Sequence, residues 1–166
     1  AKSLGYDGLE LAPMTFGDEP HRMTSAELNT IRRIANDAGL EITGLHWLLR
    51  KPGGLSISSA DAAVRARTLD VMKAFVEQCA ILGGKVLVHG SPAQRKTPAG
   101  ETHAVALARV QEAFAAIAPI AGAAGVTYCV EPLGRQETDV INTIAEAAAM
   151  VDAIGHPNLR TMLDCS

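Results

Sequence analysis

Leu82-Gly83-Gly84-Lys85-Val86-Leu87-Val88-His89 reads as three events in one short stretch: an apolar helix stops at glycine, a strand begins at once, and the strand closes on an imidazole. Glycine supplies the left-handed residue that closes the last turn of a helix. Lys85-Val86-Leu87-Val88 is short, partly β-branched and nearly continuous in apolar character, as strands buried on both faces are.

The same phrase recurs on both sides. Leu4-Gly5, closing what reads as the last turn of a helix, precedes Gly8-Leu9-Glu10-Leu11. Ala38-Gly39 precedes Glu41-Ile42-Thr43-Gly44-Leu45, Ala124-Gly125 precedes Val126-Thr127-Tyr128-Cys129-Val130, and Ile154-Gly155 precedes Leu159-Arg160-Thr161-Met162-Leu163. Helical periodicity fills the intervals. Thr24 is placed to cap a helix over 25–38, with Glu27 completing a capping box and Leu28, Ile31, Ile34 and Ala35 on one face. Further helices are expected over 59–82 (Val64, Leu69, Met72, Phe75 and Val76 inward), over 102–123 (kinked or split at Pro119) and over 139–153 (Ile141, Ile144, Ala148 and Val151 inward).

Strand starts lie roughly 30 to 44 residues apart. Regular strand–helix alternation implies parallel strands and right-handed crossovers. Two architectures satisfy it, an open doubly wound sheet and part of an eight-stranded barrel. No Gly-x-Gly-x-x-Gly follows the first strand and no Walker loop occurs, which weakens the nucleotide-binding form of the open sheet. Five strands are too few to close a barrel of about 250 residues, and would be its middle strands. Both ends of the chain fall inside the repeating pattern, so a longer protein is expected.

The 166 residues are enough for one domain, here a single partial one over 1–166. Apolar residues make up 48% and charged residues 20%, which excludes general disorder. Aromatics at 4% argue against a stacking platform for single-stranded nucleic acid. A net charge of −3 gives no bulk attraction to nucleic acid or to an anionic membrane. No uninterrupted apolar run reaches the roughly 18 residues that span a bilayer, and no secretory leader pattern is visible. Cys79, Cys129 and Cys165 form no close pair, and reduced thiols in a cytoplasmic protein are expected.

In parallel α/β folds chemistry gathers at the carboxyl ends of strands. Reading those ends in turn gives Glu10, then His46 beside Trp47, then His89, Glu131 and Asp164. Five strands thus deliver five acid–base or metal-ligating side chains to one rim. Charged groups at the close of apolar strands are costly unless paired or coordinated. Glu131 stands out because Pro132 follows directly and a short polar loop leads to the next helix.

Glu131-Pro132-Leu133-Gly134-Arg135-Gln136-Glu137 resembles the sugar isomerase and epimerase superfamily with the xylose-isomerase-like (β/α)8 TIM barrel. In that group a strand ends in Glu-Pro-Leu, a polar loop carries an acidic residue six positions on, and the next strand ends in Leu-Asp, here Leu163-Asp164. Leu45-His46-Trp47-Leu48-Leu49, Leu82-Gly83-Gly84-Lys85-Val86 and His89-Gly90-Ser91-Pro92 look similar to sugar-phosphate isomerase/epimerase sequences of the same group. The resemblance runs over essentially the whole chain and implies about strands two to six of the barrel. It implies that Glu131 and Asp164 are two of four ligands to a divalent metal, with manganese, magnesium or cobalt preferred over zinc. A His and a second Glu, from later strands, would complete the set. Glu131 would also be one catalytic acid/base, and Glu137, His46, His89 and Glu10 would face the substrate.

The implied reaction is isomerisation or epimerisation of a sugar or small hydroxy-carbonyl compound, by proton transfer beside a carbonyl through an enediolate. Hard oxygen ligands and a rim carboxylate suit that chemistry. The expected partner is a small sugar-like molecule, with homo-oligomer formation allowed in the intact protein and neither nucleic acid nor membrane required. A dehydratase or lyase on the same scaffold shares the first proton abstraction. A three-zinc apurinic endonuclease of the same superfamily would use His46, His89, Glu131 and Asp164, but the acidic pI and lack of a basic stripe oppose it. Arg95-Lys96 and Arg32-Arg33 read as isolated, solvated pairs. A non-catalytic sugar-binding barrel is the remaining alternative.

Overall fold

The structure, a computed structural model, describes residues 1–164. Strands β1 (Gly8–Leu11), β2 (Glu41–Leu45), β3 (Val86–His89), β4 (Thr127–Val130) and β5 (Leu159–Thr161) alternate with helices α1 (Ser25–Asp37), α2 (Ala62–Leu82), α3 (His103–Ala123) and α4 (Ile144–Ile154). The strands form one sheet in the order β1-β2-β3-β4-β5. Every pairing is parallel. Chain order equal to strand order, with crossovers of one hand, keeps all the helices on one face of the sheet. The other face is the concave side of a barrel segment.

The glycines of the recurring phrase, Gly5, Gly39, Gly83, Gly125 and Gly155, all have φ between 67° and 89°. Gly83 shows why: it closes α2 by donating its N–H to Ala80 O, and the chain enters β3 three residues later. Thr24 caps α1 through Glu27 N while the Glu27 carboxylate returns to Thr24 N, a reciprocal box worth about 1 kcal/mol. The core lies between sheet and helices. Leu45, Leu87, Tyr128 and Leu159 from the strands meet Met72, Phe75, Phe114 and Ile117 from α2 and α3, all fully buried.

Four sequence expectations are corrected. Pro119 does not split the helix into separate pieces, since α3 runs unbroken across it. Pro119 and Ala115 both face solvent, the side on which a carbonyl left free by the missing N–H is open to hydration. The fourth helix starts at Ile144, not 139, because Thr143 and Glu146 form its capping box. Ile141 therefore lies in the preceding loop, buried, with φ 61°. Ile34 and Ile144 point outward, at 62% and 46% exposure. The α2 helix begins at Ala62, capped by Asp61. By length and composition α3 is apolar enough to cross a membrane. Here its apolar side packs on β4 and α2, with Phe114, Ile117 and Ala118 at 0% exposure.

The β2–β3 seam allows no side chain at Gly44. A Cβ there would sit 2.2 Å from Val86 O, a backbone atom that cannot swing aside. Gly44→Ala is expected to destabilise the fold by about 2–3 kcal/mol or more, measured as a fall in the urea midpoint at constant slope.

Candidate active site

A cleft of about 720 Å³ opens at the carboxyl ends of the strands. Trp47 and Arg50 follow β2, Ser91 and Gln94 follow β3, Glu131, Glu137 and Asn142 follow β4, and Asp164 follows β5.

Glu131 is half-buried, and its carboxylate lies across the Cα of Gly90 at the end of β3. A Cβ on Gly90 would come within 2.3 Å of Glu131 Oε2. Glycine at 90 therefore makes the space that the carboxylate occupies. Burial pushes the Glu131 pKa up, and the negative charge of Asp164 pushes it further. Arg95 pulls it back, while Glu137 and Glu10 add smaller upward contributions. Glu137 reaches the same cleft with its Oε2 accepting from Gly134 N at 3.2 Å. Asn142 pins the loop between them, donating to Leu133 O and Thr138 O, each at 2.8 Å.

Register explains which strand-end residues reach this side. His89 pairs with Val130, and directly paired residues point to the same face. Val130 and Tyr128 pack under the helices, so His89 does too. Its ring is fully buried, edge-on to Phe114 at 5.0 Å, with Nδ1 2.8 Å from Tyr128 Oη. Glu131, one residue beyond Val130, faces the concave side. His89 is thus corrected from substrate-facing residue to core residue. Its burial also removes one ligand from the three-zinc endonuclease alternative. Glu10 pairs with Gly44, which pairs with Val86, which pairs with Thr127. Thr127 and Glu131 share a face by period two. Glu10 accordingly points to the concave side, and its charge reaches Cys129 and Glu131. His46 is partly exposed beside Trp47, and neither it nor Glu10 lines the cleft itself.

Arg50 and Asn142 line the cleft and escaped the sequence reading. Trp47, the single tryptophan, is 51% exposed and carries Arg50 over its ring at 5.2 Å. Arg95 is corrected most: its side chain is 0% exposed, not solvated. Non-glycine residues with positive φ are Trp47 (54°), Ser91 (40°) and Ile141 (61°), one in each loop after β2, β3 and β4. Such strain costs about 1–3 kcal/mol per residue and clusters where a fold is over-determined for function. The sequence pointed to Trp47 only as the neighbour of His46 at the end of the second strand. The free thiols Cys79 and Cys129 are buried, which raises both pKa values, Cys79 to about 12, so neither is a ready nucleophile. Cys165 lies outside the described residues.

Among the described residues no group of three or more His, Cys, Asp or Glu side chains gathers closely enough to hold a metal ion. Glu131 and Asp164 nevertheless crowd one another enough to raise the Glu131 pKa. Two mutually repelling carboxylates are a donor pair suited to a hard divalent cation, and an incomplete coordination shell by themselves.

The sequence profile of xylose isomerase-like TIM barrels matches residues 1–166. The chain belongs to that family. It is 34% identical to D-psicose 3-epimerase of Agrobacterium fabrum, over 97% of this chain and 54% of that protein. It is also 34% identical to L-ribulose 3-epimerase of Mesorhizobium japonicum, over 98% of this chain and 52% of that one. Its fold superposes on a crystal structure of D-psicose 3-epimerase in the presence of D-fructose with TM-score 0.80 and 30% identity, covering 98% of this chain and 54% of the other. The chain thus spans about half the length of the relatives it matches.

In this member of the family His89 gives a pH signature. Burial, with Arg95 adding to it, lowers its pKa to about 3 from the ordinary 6.5. Between those values the unfolded chain binds a proton that the folded chain does not, so stability is full above about pH 6.5 and falls towards pH 3. His89→Gln is expected to lower stability at pH 7 and to flatten this acid limb by about one proton, read from urea melts across pH.

Proposed function

We propose that the protein is a metal-dependent ketose epimerase that moves the proton on the carbon beside the carbonyl, with the 3-position of a ketose as the site of inversion. The observation that carries this reading is Glu131, a half-buried carboxylate seated over Gly90 with a raised pKa, facing a cleft that Glu137 and Asp164 also enter. The relatives named as D-psicose and L-ribulose 3-epimerases support it.

Glu131 serves as the base. Its raised pKa brings it closer to the neutral range, where proton abstraction and return are both efficient. The C–H electrons move into the carbon–carbon bond and the carbonyl oxygen takes the charge, giving an enediolate. Returning a proton to the opposite face inverts the carbon, and the family resemblance assigns that step to a second carboxylate outside these residues. Glu137 accepts hydrogen bonds from substrate hydroxyls, and Trp47 offers a flat wall that limits water at the mouth. Glu131 and Asp164 would hold a divalent cation of the manganese, magnesium or cobalt class, which stabilises the negative oxygens of the enediolate when bound. The buried free thiols Cys79 and Cys129 suit a reducing, cytoplasmic setting.

The test is deuterium wash-in from heavy water at C3 of D-fructose, D-psicose and L-ribulose, with the full-length protein. Glu131→Gln is expected to slow exchange by about 10²–10⁴-fold with a thermal midpoint close to wild type. Exchange at the wild-type rate would remove Glu131 as acid/base. Gly90→Ala displaces the same carboxylate without removing it and is expected to reduce turnover by about tenfold or more, again with little loss of stability because the flexible end of Glu131 gives way. Dialysis against a chelator should abolish wash-in, and added Mn²⁺, Mg²⁺ or Co²⁺ should restore it.

A further inference from the structure

Arg95 ends the short 3-10 turn Pro92–Gln94 after β3, and its guanidinium is fully buried. Burying a guanidinium without a bonded carboxylate is expensive, and among the described residues no carboxylate is a hydrogen-bond partner of Arg95. Nη1 donates to His89 O at 3.3 Å and Nη2 to Ile141 O at 3.4 Å. Among the described residues Nε has no partner.

Each of those two carbonyls has a second donor. His89 O also accepts from Glu131 N at 3.2 Å, and Ile141 O from Leu133 N at 3.2 Å. Pro132 between them has no N–H. Both amides of Glu131-Pro132-Leu133 are therefore bonded to carbonyls that the one guanidinium grips. Ile141, whose carbonyl is shared in this way, stands at φ 61°, a strained conformation for a β-branched residue. The Thr97 N–H donates to Asp139 Oδ1 at 3.0 Å, a second tie between the same two loops. The charge of Arg95 also reaches the carboxylates of Glu131 and Glu137.

We propose that Arg95 is the positioning residue of the site: through two shared carbonyls it fixes the backbone at both ends of Glu131-Pro132-Leu133 and so aims the Glu131 carboxylate into the cleft, without touching substrate. The catalytic half of this proposal rests on the epimerase reading, while the clamp itself does not. Lysine keeps the charge but replaces two spaced nitrogens by one, so it cannot hold both carbonyls in the same fork.

The experiment compares wild type with Arg95→Lys in the full-length protein, by residue-resolved amide hydrogen exchange and by C3 deuterium wash-in. In wild type the Glu131 and Leu133 amides should be protected. In Arg95→Lys both should exchange about tenfold faster or more, while Tyr128 and Cys129 within β4 keep their protection. Turnover should fall by about tenfold or more with KM within about threefold, because the base is misaimed while hydroxyl binding persists. Uniform loss of protection along β4 with wild-type turnover per folded molecule would mean a merely structural arginine and overturn the proposal. Wild-type protection of both amides in the variant would overturn it as well. If Arg95→Lys does not fold, rapid exchange of the Glu131 and Leu133 amides in wild type still refutes the clamp. Absence of wash-in by wild type on every ketose would instead refute the epimerase reading, leaving the exchange comparison to decide the clamp.

Discussion

Whether a carboxylate or an imidazole faces the cleft depends on the register in which β3 lies against β4. With His89 opposite Val130, the imidazole goes under α3 and the next residue along β4, Glu131, goes to the concave face. A one-residue slip of β4 would flip its faces and send the Glu131 carboxylate into the core, and a slip of β3 would instead turn the His89 imidazole to the cleft. Burial holds the register. Tyr128 is fully buried with its hydroxyl on His89 Nδ1, so a slip would strand both polar groups among Phe114 and its apolar neighbours. Gly90 completes the arrangement, since the rim has room for the Glu131 carboxylate only where a side chain is missing.

Around that fixed point the loops after the strands carry the strain. Trp47, Ser91 and Ile141 all adopt left-handed backbone, and Ser91 and Ile141 are tied down by residues distant in sequence. Ser91 Oγ accepts from Leu49 N, joining the loops after β2 and β3. Arg95 joins the loops after β3 and β4. The rim is thus a belt of mutually supporting loops on a rigid sheet, the usual way a barrel holds reacting groups in place.

Electrostatics divides the rim into a crowded acidic centre and a buried cation behind it. Glu131 feels Asp164, Glu137 and Glu10, all of one sign, and Arg95 opposes them. Burial lowers the Arg95 pKa to about 10, with Glu131 and Glu137 holding it up, so the guanidinium stays charged at neutral pH. Carboxylates gathered at one rim repel anions and attract a cation.

The sequence by itself determined the alternation of strand and helix, the glycine stops, the Thr24 cap and the parallel sheet in chain order, because these follow from local periodicity and backbone preference. It also placed Glu131 and Asp164 at one rim, since strand ends are readable from where apolar runs stop, while Glu137 entered only through the family resemblance. The start of α4 was legible too, in Thr143-x-x-Glu146, though apolar spacing pointed a turn earlier. Only the tertiary structure decided that His89 turns inward, that Trp47 stands at the mouth and that Arg95 is buried. A strand residue's side follows from its pairing partner, and an arginine's burial follows from loops that meet in space 46 residues apart in sequence.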